Sequence, residues 1–242
     1  MSAAPMADLD TLVNRRVFFG HQSVGANILD GVRDLLNDAG RNWPIIELGA
    51  DSPTGGALMH AKVGTNQQPL TKCDDFRRII DERLRGEVDV AVLKFCYIDI
   101  EPTTDYAMLC DRYRATLEEL AARHPNTVFV PATVPLGHAK RGLDILAREM
   151  LGRANQAKLK NLARHAFNER LRQSWTISPL FDLARAEATA ADGTRDTFTY
   201  RGSASENLVG SYTDDGGHLN TTGRRAVAAA FLQTLAAAAH RK

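Results

Sequence analysis

Residues 88–95 read VDVAVLKF, an almost unbroken apolar run. A strand with that pattern must be covered on both faces, so helices have to lie above and below it. Similar runs occur at 15–20 (RRVFFG), 44–48 (PIIEL), 127–131 (TVFVP) and 177–183 (ISPLFDL). Helical spacing separates them. From Val24 the apolar positions are Val24, Ile28, Val32 and Leu35. Residues 73–84 turn Phe76, Ile79 and Ile80 inward, and residues 106–122 place Leu109, Tyr113, Leu117 and Leu120 on one side. Residues 159–173 form a basic-faced helix, and an alanine-rich helix over 224–239 closes the chain. This alternation predicts an α/β sandwich on a five-stranded, mostly parallel sheet.

No linker or repeat divides the 242 residues, so a single domain over 1–242 is predicted, with 1–13 a flexible or helical N-terminal extension. The formal net charge of +1 gives no field for nucleic acid or an anionic membrane. No run of about 18 apolar residues suggests a membrane span. The N-terminus has no basic segment followed by an apolar one, which reads as cytoplasmic. Cys73, Cys96 and Cys110 form neither a CxxC pair nor a zinc spacing. His60, His138 and His165 show no metal-ligand spacing either, so neither metal nor cofactor is expected.

Two stretches, 49–70 and 192–217, read as long loops, which in compact domains are functional or disordered. Ligands of open parallel sheets bind at the carboxyl ends of the strands, where both loops should emerge.

The chemistry-bearing residues cluster in two places. Gly20-His21-Gln22-Ser23-Val24-Gly25 follows the first strand directly. A serine there exposes its hydroxyl at the sheet edge, and its N–H at a helix N-terminus can hold an oxyanion. Helix capping alone would also explain it. Asp214-Asp215-Gly216-Gly217-His218-Leu219-Asn220 precedes the last helix. There Asp215 can accept from one ring nitrogen of His218 and leave the other as a base. Alternatively, Asn220 or Thr221 caps the helix and His218 is incidental.

FFGHQSVG resembles the first block of the SGNH/GDSL serine hydrolases, with His21 and Gln22 between the glycine and the serine where the family has one residue. DGGHLNTTG resembles the last block, Asp-x-x-His followed by Asn and Gly. The resemblance implies a flavodoxin-like α/β/α fold. It makes Ser23 the nucleophile, His218 the base and Asp215 its partner, acting on a small-molecule ester without a cofactor. It also implies an oxyanion hole built from the Ser23 N–H, a second-block glycine matched by Gly64, and a third-block asparagine. That asparagine is absent, because in Phe95-Cys96-Tyr97-Ile98-Asp99 its place is taken by Ile98. Loss of one such donor removes about 3 kcal/mol of transition-state stabilisation. Asn66 is the first candidate to replace it and Tyr97 the second, although Tyr97 also reads as a core aromatic.

His21, Gln22 and Tyr97 are candidate substrate contacts; His21 and Gln22 could equally shape the turn. Lys94, inside an apolar strand, should reach solvent or pair with a carboxylate such as Asp99. Residues 135–156 read as a helical cover over the site or a solvated amphipathic helix. An acyltransferase and a non-catalytic ligand-binding protein on the same scaffold are the rival functions.

Overall fold

The computed structural model describes residues 3–49, 53 and 55–241 of the chain, with side chains from residue 8 onward. Its sheet contains β1 (Arg16–His21), β2 (Ile45–Glu47), β3 (Ala57–Lys62), β4 (Val90–Leu93) and β5 (Val128–Pro131). The order is β2-β3-β1-β4-β5, and every pairing is parallel.

The sheet has five strands, but not the five that were predicted. Residues 177–183 form no strand. Pro179 lacks the N–H that a ladder needs, and only Phe181 pairs, in a single parallel bridge with Ala132. The place is taken by β3, from inside the expected 49–70 loop, of which 50–52 and 54 lie outside the described residues. Its sequence ALMHAK has little β-propensity. Its position between β2 and β1 buries Ala57, Leu58 and Met59 completely.

Alternation along the strands builds two cores. On one face Val17, Phe19, Leu58, Val90, Val92 and Val130 meet α1 (Ala3–Leu12), α2 (Ser23–Ala39), α7 (Leu183–Glu187) and α8 (Thr221–Ala239). On the other, Phe18, Met59, Ala91, Leu93 and Phe129 meet α3 (Pro69–Arg78), α4 (Tyr106–Arg123) and α6 (Gln156–Ser174). The layers are therefore α/β/α. The N-terminal stretch is helical, and α1 packs on α8 with Leu9 and Leu12 fully buried, so it belongs to the core. Residues 1 and 2 lie outside the described residues.

The 192–217 stretch contains an antiparallel hairpin, β6 (Thr197–Tyr200) and β7 (Ser203–Glu206). Its two-residue turn holds Arg201 at φ 50° and Gly202 at φ 80°, as a tight hairpin turn of this twist demands. Within 135–156 a helix, α5 (Leu143–Met150), forms and leaves Leu143, Leu146 and Met150 exposed. A groove of about 560 Å³ separates α5 from β6, lined by Leu143, Leu146, Lys158 and Phe198; none of Ser23, Asp215 and His218 lines it. Among the described residues no helix is long and apolar enough to cross a membrane.

Candidate active site

Ser23 is the first residue of α2, directly after β1 and Gln22. The helix cap is Gln22, whose side chain makes no capping bond, so the serine does not serve as the cap. Its side chain is exposed and its hydroxyl makes no hydrogen bond among the described residues. At the first helical position the Ser23 N–H has no intrahelical acceptor.

His218 and Asp215 meet as expected. His218 Nδ1 lies 2.7 Å from Asp215 Oδ2. Asp215 Oδ1 accepts the N–H of Gly217 and of His218, each at 2.8 Å. The bond from the His218 side chain, followed by these two backbone donors, holds the Asp215 carboxyl well below the usual carboxylate range. An ionised carboxylate only accepts, so the ring proton sits on Nδ1 and Nε2 carries a free lone pair. Asn220 also caps α8, its Oδ1 accepting the Gly223 N–H at 3.1 Å. The turn therefore starts the helix and aligns the imidazole together.

The α2–α8 seam brings the two ends of the chain together. Leu219 N–H donates to Asn27 Oδ1 at 3.2 Å, one helical turn beyond Ser23. Arg224 pairs with Asp34, and Arg225 with Asp38. Ser23 and His218 thus stand at the N-terminal ends of adjacent helices running the same way, although no hydrogen bond joins them. Gly31 permits this approach, since a Cβ there would meet the Arg224 carbonyl oxygen at 2.2 Å. Gly31→Ala is expected to lower stability by about 1–3 kcal/mol, measured by urea unfolding.

The loop after β3 closes the other side. Gln22 Nε2 donates to Val63 O at 2.9 Å and Gly64 O at 3.0 Å, tying the loop to the serine turn. Gly64 differs from its expected part in the oxyanion hole, because its N–H already donates to Asp75 Oδ2 at 3.1 Å. It must be glycine for another reason: φ is +55°, and a Cβ would strike the backbone of Thr71 and Lys72 at 2.5–2.6 Å. Asn66 stands on this loop, half-buried, with its Oδ1 2.9 Å from Lys72 Nζ.

The flanking candidates separate. His21 is only 2% exposed, beneath α2 against Gly25, bonded to Gln22 O at 2.9 Å and His60 at 3.2 Å. Burial pushes its imidazole down to about 3. It shapes the turn from below and has no surface for a substrate. Gln22 spends its amide on the loop. Tyr97 is half-buried, edge-on to His218 with ring centroids 6.0 Å apart, and its hydroxyl lies beside Gly217. It is the flanking candidate placed beside His218.

Lys94 does not pair with Asp99, because Lys72 occupies that carboxylate. Lys94 is fully buried, donates to Phe95 O at 3.0 Å, and is pushed down by desolvation. Nearby Glu187, also fully buried, accepts the Leu136 N–H at 2.6 Å through Oε2 and has no partner at Oε1. Burial pushes this carboxyl up to about 8 from 4.5. Folding favours its protonated form, so stability is retained below about 4.5 and lost as pH rises through about 8. Relative to Glu187→Gln, the wild type is expected to lose up to about 1.4 kcal/mol per pH unit across that window, measured by urea unfolding at several pH values.

Lys72 and Arg164 escaped the sequence reading. Lys72 shares a helix face with Phe76, four residues on, and a lysine at a core position is the signal. Arg164 Nε donates to Tyr97 O at 2.9 Å, with its guanidinium 5.4 Å over the Tyr97 ring. Among the described residues no group of three His, Cys, Asp or Glu is placed to hold a metal ion.

No protein-family model matches the chain, and no curated protein matches it. Among solved structures, it resembles a Streptococcus pneumonia protein provisionally described as a platelet activating factor. The identity is 13%, covering 94% of this chain and 87% of that one, with a TM-score of 0.50. The chain shares the α/β/α fold of that protein. A lipase/acylhydrolase from Enterococcus faecalis superposes at TM-score 0.46, with 14% identity over 92% of this chain and 95% of that one. The turn Tyr97–Asp99 carries half-buried Ile98 at the position where the sequence resemblance leads one to expect an asparagine.

Proposed function

We propose that the protein is a serine esterase that cleaves carboxylic esters through an acyl-Ser23 intermediate. The observation that carries this reading is the Asp215–His218 bond at 2.7 Å, held by the α2–α8 seam at the end of the fold where Ser23 begins α2 with an uncommitted hydroxyl. His218 Nε2 takes the Ser23 proton as Oγ attacks the carbonyl carbon, then returns it to the leaving alcohol. Water, deprotonated by the same nitrogen, releases the acid. Asp215 holds the tautomer and stabilises the imidazolium. The Ser23 N–H and the Asn66 amide are the donors for the oxyanion, and Tyr97 borders the leaving group or acyl chain. The partial exposure of His218 and Ser23 favours water over a second alcohol as acyl acceptor, and so hydrolysis over acyl transfer to an alcohol.

The test is hydrolysis of p-nitrophenyl esters from acetate to octanoate by wild type and Ser23→Ala. Turnover confined to the wild type supports the esterase and ranks the acyl lengths. Equal turnover in both removes Ser23 as nucleophile, and turnover in neither favours a ligand-binding role.

A further inference from the structure

We propose that Lys72 and Asp99 are positioning residues that convert Asn66 into the oxyanion donor missing from the third block. This rests on the acyl-Ser23 reading.

The Asn66 amide has a defined orientation because of its partner. An ammonium only donates, so the Asn66 atom 2.9 Å from Lys72 Nζ is the carbonyl oxygen. The Nδ2 group therefore faces away from Lys72, and it has no acceptor among the described residues. Lys72 is in turn fixed by Asp99, to which it is paired, both side chains being fully shielded from solvent. The same carboxylate accepts the Cys96 N–H at 2.6 Å and the Gln67 N–H at 2.8 Å. One buried carboxylate thus ties the end of the β4 segment to the loop carrying Asn66. Gln67, the next residue, is held at φ +66°. That loop is anchored to the serine turn by Gln22 and by the Val63 N–H, which donates to His21 O at 3.1 Å.

Stability alone does not account for this arrangement, since a buried ion pair is often no better than apolar residues of the same volume. Its electrostatic effect is specific. A cation on Oδ1 polarises the amide and strengthens Nδ2–H as a donor. It also places positive charge behind the position where negative charge develops. A lysine from α3 and the third-block aspartate together do through Asn66 what an asparagine at Ile98 would do directly.

A fluorophosphonate probe tests this without knowledge of the substrate. Ser23 Oγ bonds to phosphorus, fluoride leaves, and the phosphoryl oxygen occupies the oxyanion position. The labelling rate is read by intact mass. Asn66→Ala is expected to slow labelling by roughly 10²–10³-fold. Lys72→Met combined with Asp99→Asn, which leaves no stranded charge, is expected to slow it by a smaller factor. In the Asn66→Ala background the same pair is expected to have no further effect. An undiminished effect there, or no effect in the wild-type background, overturns the proposal. Should the paired variant fail to fold, the Asn66 side-chain amide signal in ¹⁵N–¹H spectra decides. Phosphonylation is expected to move it downfield, and an unmoved signal overturns the proposal. If the wild type is not labelled at Ser23, the acyl-enzyme reading itself fails. Labelling at Ser23 that ignores Asn66 and Lys72 removes the Asn66 donor together with its positioning residues and leaves the acyl-Ser23 reading standing.

Discussion

Ser23→Ala is expected to lower ester turnover by roughly 10⁴–10⁶-fold, with the residual rate owed to binding and the oxyanion donors. The size of the loss follows from the role proposed for the Ser23 hydroxyl, which no cysteine can take over. All three cysteines are buried, and burial pushes Cys73 up to about 12, far from a reactive thiolate. The same substitution is expected to leave the urea midpoint almost unchanged. The hydroxyl caps nothing, the side chain is exposed, and alanine is well tolerated in a helix that needs no bond from position 23. A large drop in activity with an intact midpoint separates a nucleophile from a helix cap, because losing a cap lowers stability by about 1 kcal/mol and leaves chemistry alone. The converse result, a lowered midpoint with turnover retained, would make Ser23 structural.

The layers of the fold were legible because burial on both faces writes itself into strands such as VAVL, because α2 carries clear helical spacing and because α8 is rich in alanine. What was illegible has physical causes. β3 is an interior strand, ALMHAK, with no β-branched or aromatic residue but histidine, and its neighbours, not its own propensity, make it a strand. At 177–183 a β-like composition is overridden by one proline. The Asp215–His218 pair was readable because three-residue spacing in a glycine turn suffices to bring the groups together. The proposed oxyanion donors were harder, since they depend on contacts between residues far apart in sequence. The Gly64 amide is diverted by Asp75, eleven residues on. Asn66 is bonded to Lys72, which is itself paired with Asp99 from the turn after β4. Residue types alone do not reveal which of several nearby carboxylates a buried lysine will reach, and the expected Lys94–Asp99 pair shows the same difficulty.

Asp215→Asn is expected to reduce kcat by about 10⁴-fold while the fold and KM change little. The backbone around Asp215 determines why. Oδ1 is fixed by the N–H groups of Gly217 and His218, with the Thr213 hydroxyl at 3.3 Å. These are donors, so an asparagine keeps its carbonyl oxygen there and turns its NH₂ toward His218 Nδ1. Two donors cannot share that 2.7 Å contact, so the ring proton moves to Nε2. The nitrogen that should accept from Ser23 then carries a proton and cannot act as a base. A neutral amide also no longer stabilises the imidazolium formed during attack. Asp215→Ala takes away the acceptor of the Gly217 and His218 N–H groups as well, but it removes the tautomer constraint without imposing the wrong tautomer. It is therefore expected to retain more activity than Asp215→Asn. Steady-state kinetics of the two variants check this order. Asp215→Asn within about tenfold of wild type would mean that the carboxylate shapes the turn and takes no part in proton transfer.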